Sequence, residues 1–251
     1  MSLPEIITVV FAGVGAGAIN AVVGSGTLIT FPVLLTVGYA PVVANVSNTI
    51  GLVPGSISGA IGYRRELRGQ RARIMRLGSA SLVGGIVGAI LLLALPASWF
   101  EVIVPIFIAI ALVLIVFQKR VAAVIAQRRG TIAANGGRGT FGAVFGTGVY
   151  GGYFGAAQGI LLISLLGLTL DDDLHRINAL KVVLATIVNL VAGIVFVFVA
   201  DVAWAPVGLI AAGSIVGGQL GARFGRRLPA PALRAVIVMV GLVAIVHLVV
   251  I

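Results

Sequence analysis

The sequence predicts an all-α polytopic membrane protein built from two inverted-topology repeats, each a Gly-rich broken or re-entrant helical hairpin plus three transmembrane helices. Three observations carry this expectation: an apolar composition, an internal match at constant offset, and opposite placement of basic residues in the two halves. Of 251 residues, 60% are hydrophobic and only 10% charged, with a mean hydropathy of +1.19, so a water-soluble globule would lack the polar surface to cover itself. Charge-free runs occupy 6–63, 77–100, 102–118, 139–170, 182–200, 202–222 and 235–251. Most reach or approach the roughly 20 residues that cross a hydrocarbon core, and the two longest, 6–63 and 139–170, must fold back at least once.

The internal match is clearest at Gly84-Gly85-Ile86-Val87-Gly88 and Gly217-Gly218-Gln219-Leu220-Gly221, which lie 133 residues apart. The same offset pairs Leu95-Pro96-Ala97 with Leu228-Pro229-Ala230, Gly13 with Gly146, Gly26 with Gly159, and Asn45 with Asn178. The expected units are a first membrane repeat over 1–120, a basic cytoplasmic linker over 121–137 and a second membrane repeat over 138–251, together one transport domain.

Charge orients the repeats. The net charge of +10 is concentrated in 64–76 with six arginines, 119–138 with five Lys or Arg, and 223–227 with three arginines. These are connections between apolar runs, where basic residues mark the cytoplasmic side and meet anionic lipid head groups; no contiguous basic face suggests nucleic acid. The counterpart of 64–76, near 196–209, has no basic residue, whereas the counterpart of the uncharged 95–100 carries three arginines. Counterparts therefore face opposite sides, an inverted repeat of the kind found in secondary transporters.

Each element follows in order. With 64–76 inside, 41–62 enters from outside, 77–95 returns, 100–117 comes back in and the linker stays inside. In the second half, 174–200 runs outward, 205–222 inward and 231–251 outward. The segment 3–38 then begins and ends outside, and 139–170 begins and ends inside, so each is a hairpin and both termini lie outside. The returning arms 27–38 and 159–170 span only roughly 18 Å, suited to re-entrant half-helices; two full spans per hairpin remain if the glycines enter the turn. Met1 to Asn20 has neither basic residues before its apolar core nor an A-x-A-like site, so it is expected to stay. Cysteine is absent, which excludes disulfides and thiolate metal sites.

The hairpin tips are the first candidate site. Non-helical backbone at membrane depth exposes N–H groups, and the positive end of the following half-helix favours an anion. Asn20, Gly24, Ser25, Gly26 and Thr27 belong to the first tip, Gln158 and Gly159 to the second. The outer glycines, such as Gly13 and Gly146, read as helix-packing residues. A second signal lies on the helix after each hairpin, where Asn178, Lys181 and Asn189 fall within about 80° of one another at roughly 100° per residue. Their counterparts are Asn45, Asn48 and Ser56. Lys181 has no carboxylate at helical spacing within its span, so either it snorkels to the surface or its partner is a mobile anion.

Other polar residues read as structural. Asp171-Asp172-Asp173 precede a helix and suit its N-terminus, with His175 in the cap. Glu101 reads as a helix-start charge, and Trp99 and Trp204 as interfacial anchors. His175 and His247 have no ligand-spaced partner, so no metal or cofactor is expected. Ser25 between glycines resembles a nucleophile, but a hydrolase needs a base that the sequence does not place beside it.

Residues 13–32 and 44–58, and above all "GVYGGYFGAAQGILLISLLGL" (148–168) followed by "DDDLHRINALKVVLATIVNLVAG" (171–193), resemble the TauE/SafE family of sulfite exporters. Many relatives carry a fuller run of glycines where this chain has Gly24-Ser25-Gly26 and Ala157-Gln158-Gly159. The resemblance implies a prokaryotic inner-membrane, multi-pass transporter of sulfite, thiosulfate, sulfonates or related small anions. The expected function is secondary transport, in the direction of export, of an anion held near the midplane by Asn20, Gly24, Ser25, Gly26, Thr27, Asn45, Asn48, Gln158, Gly159, Asn178 and Lys181. A passive anion channel, an intramembrane hydrolase and a receptor-like membrane protein are the alternatives. With no carboxylate deep in a span, any proton coupling uses the substrate's own titration, a water-filled path or a residue near a membrane face. The coupling ion and oligomeric state stay open.

Overall fold

A computed structural model describes residues 1–127 and 135–224, together with positions 238, 239, 242, 245 and 246. The span expected over 231–251, His247, linker residues 128–134 and the arginines at 226 and 227 therefore lie outside the described residues, apart from those isolated positions. Among the described residues there are no strands and nine helices: α1 (Leu3–Val22), α2 (Thr27–Thr36), α3 (Pro41–Gly62), α4 (Arg71–Ala94), α5 (Ala97–Gln127), α6 (Arg138–Tyr153), α7 (Gln158–Thr169), α8 (Leu174–Val199) and α9 (Trp204–Phe224).

Five helices, α1, the stretch Ala97–Phe117 of α5, α4, α8 and α9, are long and apolar enough to cross a membrane. The 22-residue α3 is long enough but too polar to join them, because Asn45, Ser47, Asn48, Thr49, Ser56 and Ser58 are all buried within the bundle. The count of six apolar spans thus changes in membership: α1 qualifies, α3 owes its place to partners inside the bundle, and the last span is not described. The perimeter is apolar instead, as on α5, where Val102, Ile106, Ile110 and Val113 are exposed at helical spacing.

Three boundaries differ from the sequence reading. Helix α4 starts at Arg71, so Arg71, Arg73 and Arg76 belong to its first turns rather than to a connection. Helix α5 begins at Ala97, which puts Glu101 in its second turn, and continues ten residues beyond Phe117, since nothing in 118–127 breaks a helix.

Glycines set the main crossings. Helix α6 lies along α4 with Gly84 and Gly88 against Gly148 and Gly152; a Cβ on Gly84 would stand 3.0 Å from Gly148 Cα. Helix α1 lies along α9 in the equivalent way, Gly13 against Gly213 and Gly17 against Ser214 and Gly218. The glycine pattern repeated at the 133-residue offset is therefore what allows each hairpin's first helix to approach a helix of the other half, the small-residue contact expected in membranes. Helix α3 packs on α9 as α8 does on α4, and α3 and α8 meet centrally. Side chains tie α3 to α9: Ser58 Oγ donates to Ile215 O at 2.9 Å, Ser214 Oγ to Gly51 O at 3.1 Å and Gln219 Nε2 to Ser58 O at 2.8 Å.

Both hairpins are broken where expected. Helix α1 ends as Val23 N–H and Gly24 N–H close on Ile19 O at 2.7 and 2.9 Å, with Gly24 at φ +84°, and the chain restarts as the 10-residue α2. Helix α6 ends the same way, Phe154 N–H and Gly155 N–H closing on Tyr150 O, before the 12-residue α7. At about 1.5 Å per residue α2 and α7 extend roughly 15 and 18 Å, too short for the hydrocarbon core. Ala157, the counterpart of Gly24, is also left-handed at φ 58° and is the only non-glycine among the described residues to be so.

Candidate functional site

The two tips touch. Gly159 N–H donates to Gly24 O at 3.0 Å, and a Cβ on Gly24 would come within 3.1 Å of Gly159 N. The N-termini of α2 and α7 are thereby brought close together, pairing two positive helix ends.

Around this contact each half holds the other's broken helix. Asn178 Nδ2 and Lys181 Nζ, one turn apart on α8, donate to Ala21 O and Asn20 O in the last turn of α1, both at 3.3 Å. From α3, Asn45 Nδ2 donates to Tyr153 O in the last turn of α6 at 3.0 Å. These carbonyls are the ones a helix end leaves without internal donors. Lys181 is fully buried, so it does not snorkel, and the ion pairs among the described residues do not include it.

The rest of the first tip is internally bonded. Asn20 Oδ1 accepts Gly26 N–H at 3.0 Å; Asn48 Nδ2 donates to Thr27 Oγ1 at 3.3 Å, and Asn48 Oδ1 accepts the hydroxyl of Thr30. In the second tip Gln158 folds back, its Nε2 donating to Thr147 O at 3.2 Å, and Tyr150 donates its hydroxyl to Ala156 O. The N–H groups of Gly26 and Gly159, expected to be open, are thus both engaged in this structure. Left buried without a partner are Ser25 Oγ, Asn45 Oδ1, Asn178 Oδ1, the Tyr153 hydroxyl and, on α4, Ser81 Oγ. Asn189, the third member of the polar stripe, is only half-buried, while its counterpart Ser56 is buried.

Two features escaped the sequence reading. Thr30, fully buried one turn beyond Gly26, braces Asn48 against the start of α2; its spacing from Thr27 was the available signal. Beyond the α7 end, Asp172 pairs with Arg73 of α4 and, at 2.9 Å, with Arg176 of α8. Gln70 Nε2 joins the cluster by donating to Arg176 O at 2.9 Å, and Arg176 donates to Arg68 O at 3.1 Å. Burial opposes the Asp172 charge, but Arg73, the Asp173 N–H and Arg176 together hold its carboxyl below the usual range. The i, i+4 spacing of Asp172 and Arg176 was legible; the reach to Arg73, 99 residues away, was not. Asp173 caps α8, accepting from His175 N–H at 2.8 Å.

The described cavities lie to the side of the tips. One of about 320 Å³ is lined by Leu91, Leu95, Ile103, Phe107, Gly146, Val149, Tyr150 and Tyr153, and an adjoining one of about 410 Å³ shares Phe107, Gly146 and Tyr150. Both are apolar. A third, also about 410 Å³, sits between α3 and α8 around Pro54 and Gly193.

A buried cation, two facing helix N-termini and a surround without carboxylates among the described residues make an anion the ligand of best electrostatic fit. The family model described as Sulfite exporter TauE/SafE matches residues 9–248, nearly the whole chain. No curated protein and no solved structure matches it. With five helices able to cross a membrane and a match of this extent, the chain belongs to the TauE/SafE sulfite exporter family, a family of membrane anion transporters.

Proposed function

We propose that the protein is a secondary transporter that carries a small oxyanion such as sulfite, thiosulfate or a sulfonate between the two hairpin tips, near the bilayer midplane. The observation that carries this reading is Lys181: fully buried, its ammonium bonded to a main-chain carbonyl beside the tip contact rather than to a carboxylate. A buried ammonium is costly unless a countercharge arrives, and a mobile anion supplies one. Ser25, buried with an unpartnered hydroxyl, stands at the N-terminus of α2, where a second contact to the anion would fall.

The equivalent placement of α1 with α6, α2 with α7, α3 with α8 and α4 with α9 supports two repeats over 1–120 and 138–251. The basic connections support their inversion, with 64–76 inside. The tips meet through Gly24 and Gly159, which favours a carrier that occludes its substrate over a continuously open channel. Rocking one half against the other would part this contact and expose the site to alternate sides. The test is uptake into proteoliposomes of labelled sulfite, thiosulfate, sulfonates, carboxylates and phosphate, with and without a pH gradient. Saturable flux of sulfur oxyanions with counterflow is expected; flux that neither saturates nor shows counterflow would establish a channel instead.

A further inference from the structure

Around the tip contact, donors and acceptors are unevenly committed. The amide donors have internal acceptors: Gly26 N–H uses Asn20 Oδ1, Gly159 N–H uses Gly24 O, Asn48 Nδ2 uses Thr27 Oγ1 and Gln158 Nε2 uses Thr147 O, while the Ser25 and Tyr153 hydroxyls, able to give or take a hydrogen bond, have no partner. Two acceptors have no donor, Asn45 Oδ1 and Asn178 Oδ1, and their side chains are 0% and 8% exposed.

The orientation of these amides is fixed by what they face. Each Nδ2 points at a main-chain carbonyl, Tyr153 O for Asn45 and Ala21 O for Asn178, and a carbonyl has no proton to give. Turning either amide over would set oxygen against oxygen, so both Oδ1 atoms remain acceptors. The two residues are counterparts at the 133-residue offset, one on α3 and one on α8. A buried acceptor without a donor costs about 1–3 kcal/mol, and here the same vacancy recurs in both halves.

Resting on the anion-transport reading above, we infer that the carried species is a singly charged oxyanion that itself donates a hydrogen bond, its one proton going to Asn178 Oδ1 or, in turn, to the counterpart Asn45 Oδ1, with Lys181 as its countercharge. A fully deprotonated dianion could accept from Lys181 and from the Ser25 hydroxyl, but it would leave both amide oxygens without a donor and one of its two charges unbalanced. The charged and titratable groups on the packed elements agree with a single compensating charge. Helices α2, α3 and α7 carry none; α1 carries Glu5 and α6 carries Arg138, each at the end remote from its tip. On α6, Tyr150 and Tyr153 are phenols; on α8, His175 and Arg176 precede Asn178 in the first turn, with Arg176 paired to Asp172. Arg71, Arg73 and Arg76 on α4 lie at that helix's start, as Arg223 on α9 lies at its end.

The proton then travels on the substrate. Sulfite would be protonated in water on one side, cross as hydrogensulfite and release the proton on the other. Flux is linked to the pH gradient in this scheme without any carboxylate inside a span.

The test uses the full chain in proteoliposomes. Labelled sulfite uptake is followed across the titration of hydrogensulfite to sulfite, and is competed with ethanesulfonate and with 2-hydroxyethanesulfonate, which have the same charge and carbon count but differ by one hydroxyl. The rate is expected to follow the hydrogensulfite fraction, and the hydroxylated sulfonate is expected to compete about tenfold better, the worth of one hydrogen bond to a buried acceptor. In Asn45→Leu and Asn178→Leu variants the ratio between the two competitors should fall toward one, whatever the change in overall sulfite uptake. Uptake that follows the dianion, or equal competition by the two sulfonates, overturns the inference while leaving anion transport standing. Absence of any sulfite flux overturns the transport reading and this inference with it.

Discussion

Replacing Gly24 with alanine should damage the structure through both its backbone angle and its contact with the second tip. Gly24 has φ +84°, a region in which an L-residue other than glycine costs about 1–2 kcal/mol. Its new Cβ would stand 3.1 Å from Gly159 N and 3.2 Å from Gly159 C, so the tips must separate and the 3.0 Å bond from Gly159 N–H to Gly24 O is lost. Leaving that N–H buried and unpaired costs about 1–3 kcal/mol more, for a total of about 2–5 kcal/mol. Gly159→Ala, whose Cβ would lie 2.9 Å from Val23 O, parts the same contact without the φ penalty and should cost about 1–3 kcal/mol. Gly142→Ala is the control: helical, with nothing within 4 Å of the added methyl, it should be neutral or stabilising by about 0.5–1 kcal/mol. Thermal unfolding of the three purified variants in one detergent reads the order directly. A Gly24→Ala protein that melts with the parent, or with Gly142→Ala, would refute the claim that the two tips are packed backbone to backbone.

Further expectations concern the supports of the site. Asn48→Leu removes the bonds to Thr27 and Thr30 while roughly keeping volume, and should cost about 1–3 kcal/mol, read as a lowered melting midpoint. Asp172→Asn removes both ion pairs and should cost about 1 kcal/mol at neutral pH. Because the folded carboxyl titrates below its unfolded value, its contribution is present in full above the ordinary carboxylate range and is lost as pH falls through the depressed folded value. Melting midpoints measured on acidification should therefore fall more steeply in the parent than in Asp172→Asn.

Much of the layout was legible because its signals are local and chemically unusual. Gly24-Ser25-Gly26-Thr27 and Ala157-Gln158-Gly159 interrupt apolar runs that have no other reason to stop, and the structure breaks its helices there. The 12-residue estimate for each returning arm meets helices of 10 and 12 residues, since Thr36 and Thr169 are followed by turn or extended backbone. Lys181 stood out as a cation with no carboxylate at helical spacing. What could not be read was which carbonyl or carboxylate each polar group would meet. Asn45 finds Tyr153 across 108 residues and Lys181 finds Asn20 across 161, distances over which periodicity carries no information. The same limit explains why the tip N–H groups were expected to be open: their acceptors, Asn20 Oδ1 and Gly24 O, are supplied by the fold. The glycine repeat at 84–88 and 217–221 was visible as a pattern, but its use, crossing helices of the opposite half, became clear only from packing.

The central claim, that Lys181 supplies the charge to which the carried anion binds, is tested most directly by sulfite flux through parent, Lys181→Met and Lys181→Arg proteins reconstituted at equal, monodisperse amounts. A charged hydrogen bond lost from a buried site is worth about 1.5–3 kcal/mol, so Lys181→Met should weaken half-saturation by about ten- to a hundredfold. Lys181→Arg should recover part of the loss, because the charge is kept while the geometry changes. A folded Lys181→Met protein with the parent's half-saturation and maximal rate would contradict the account.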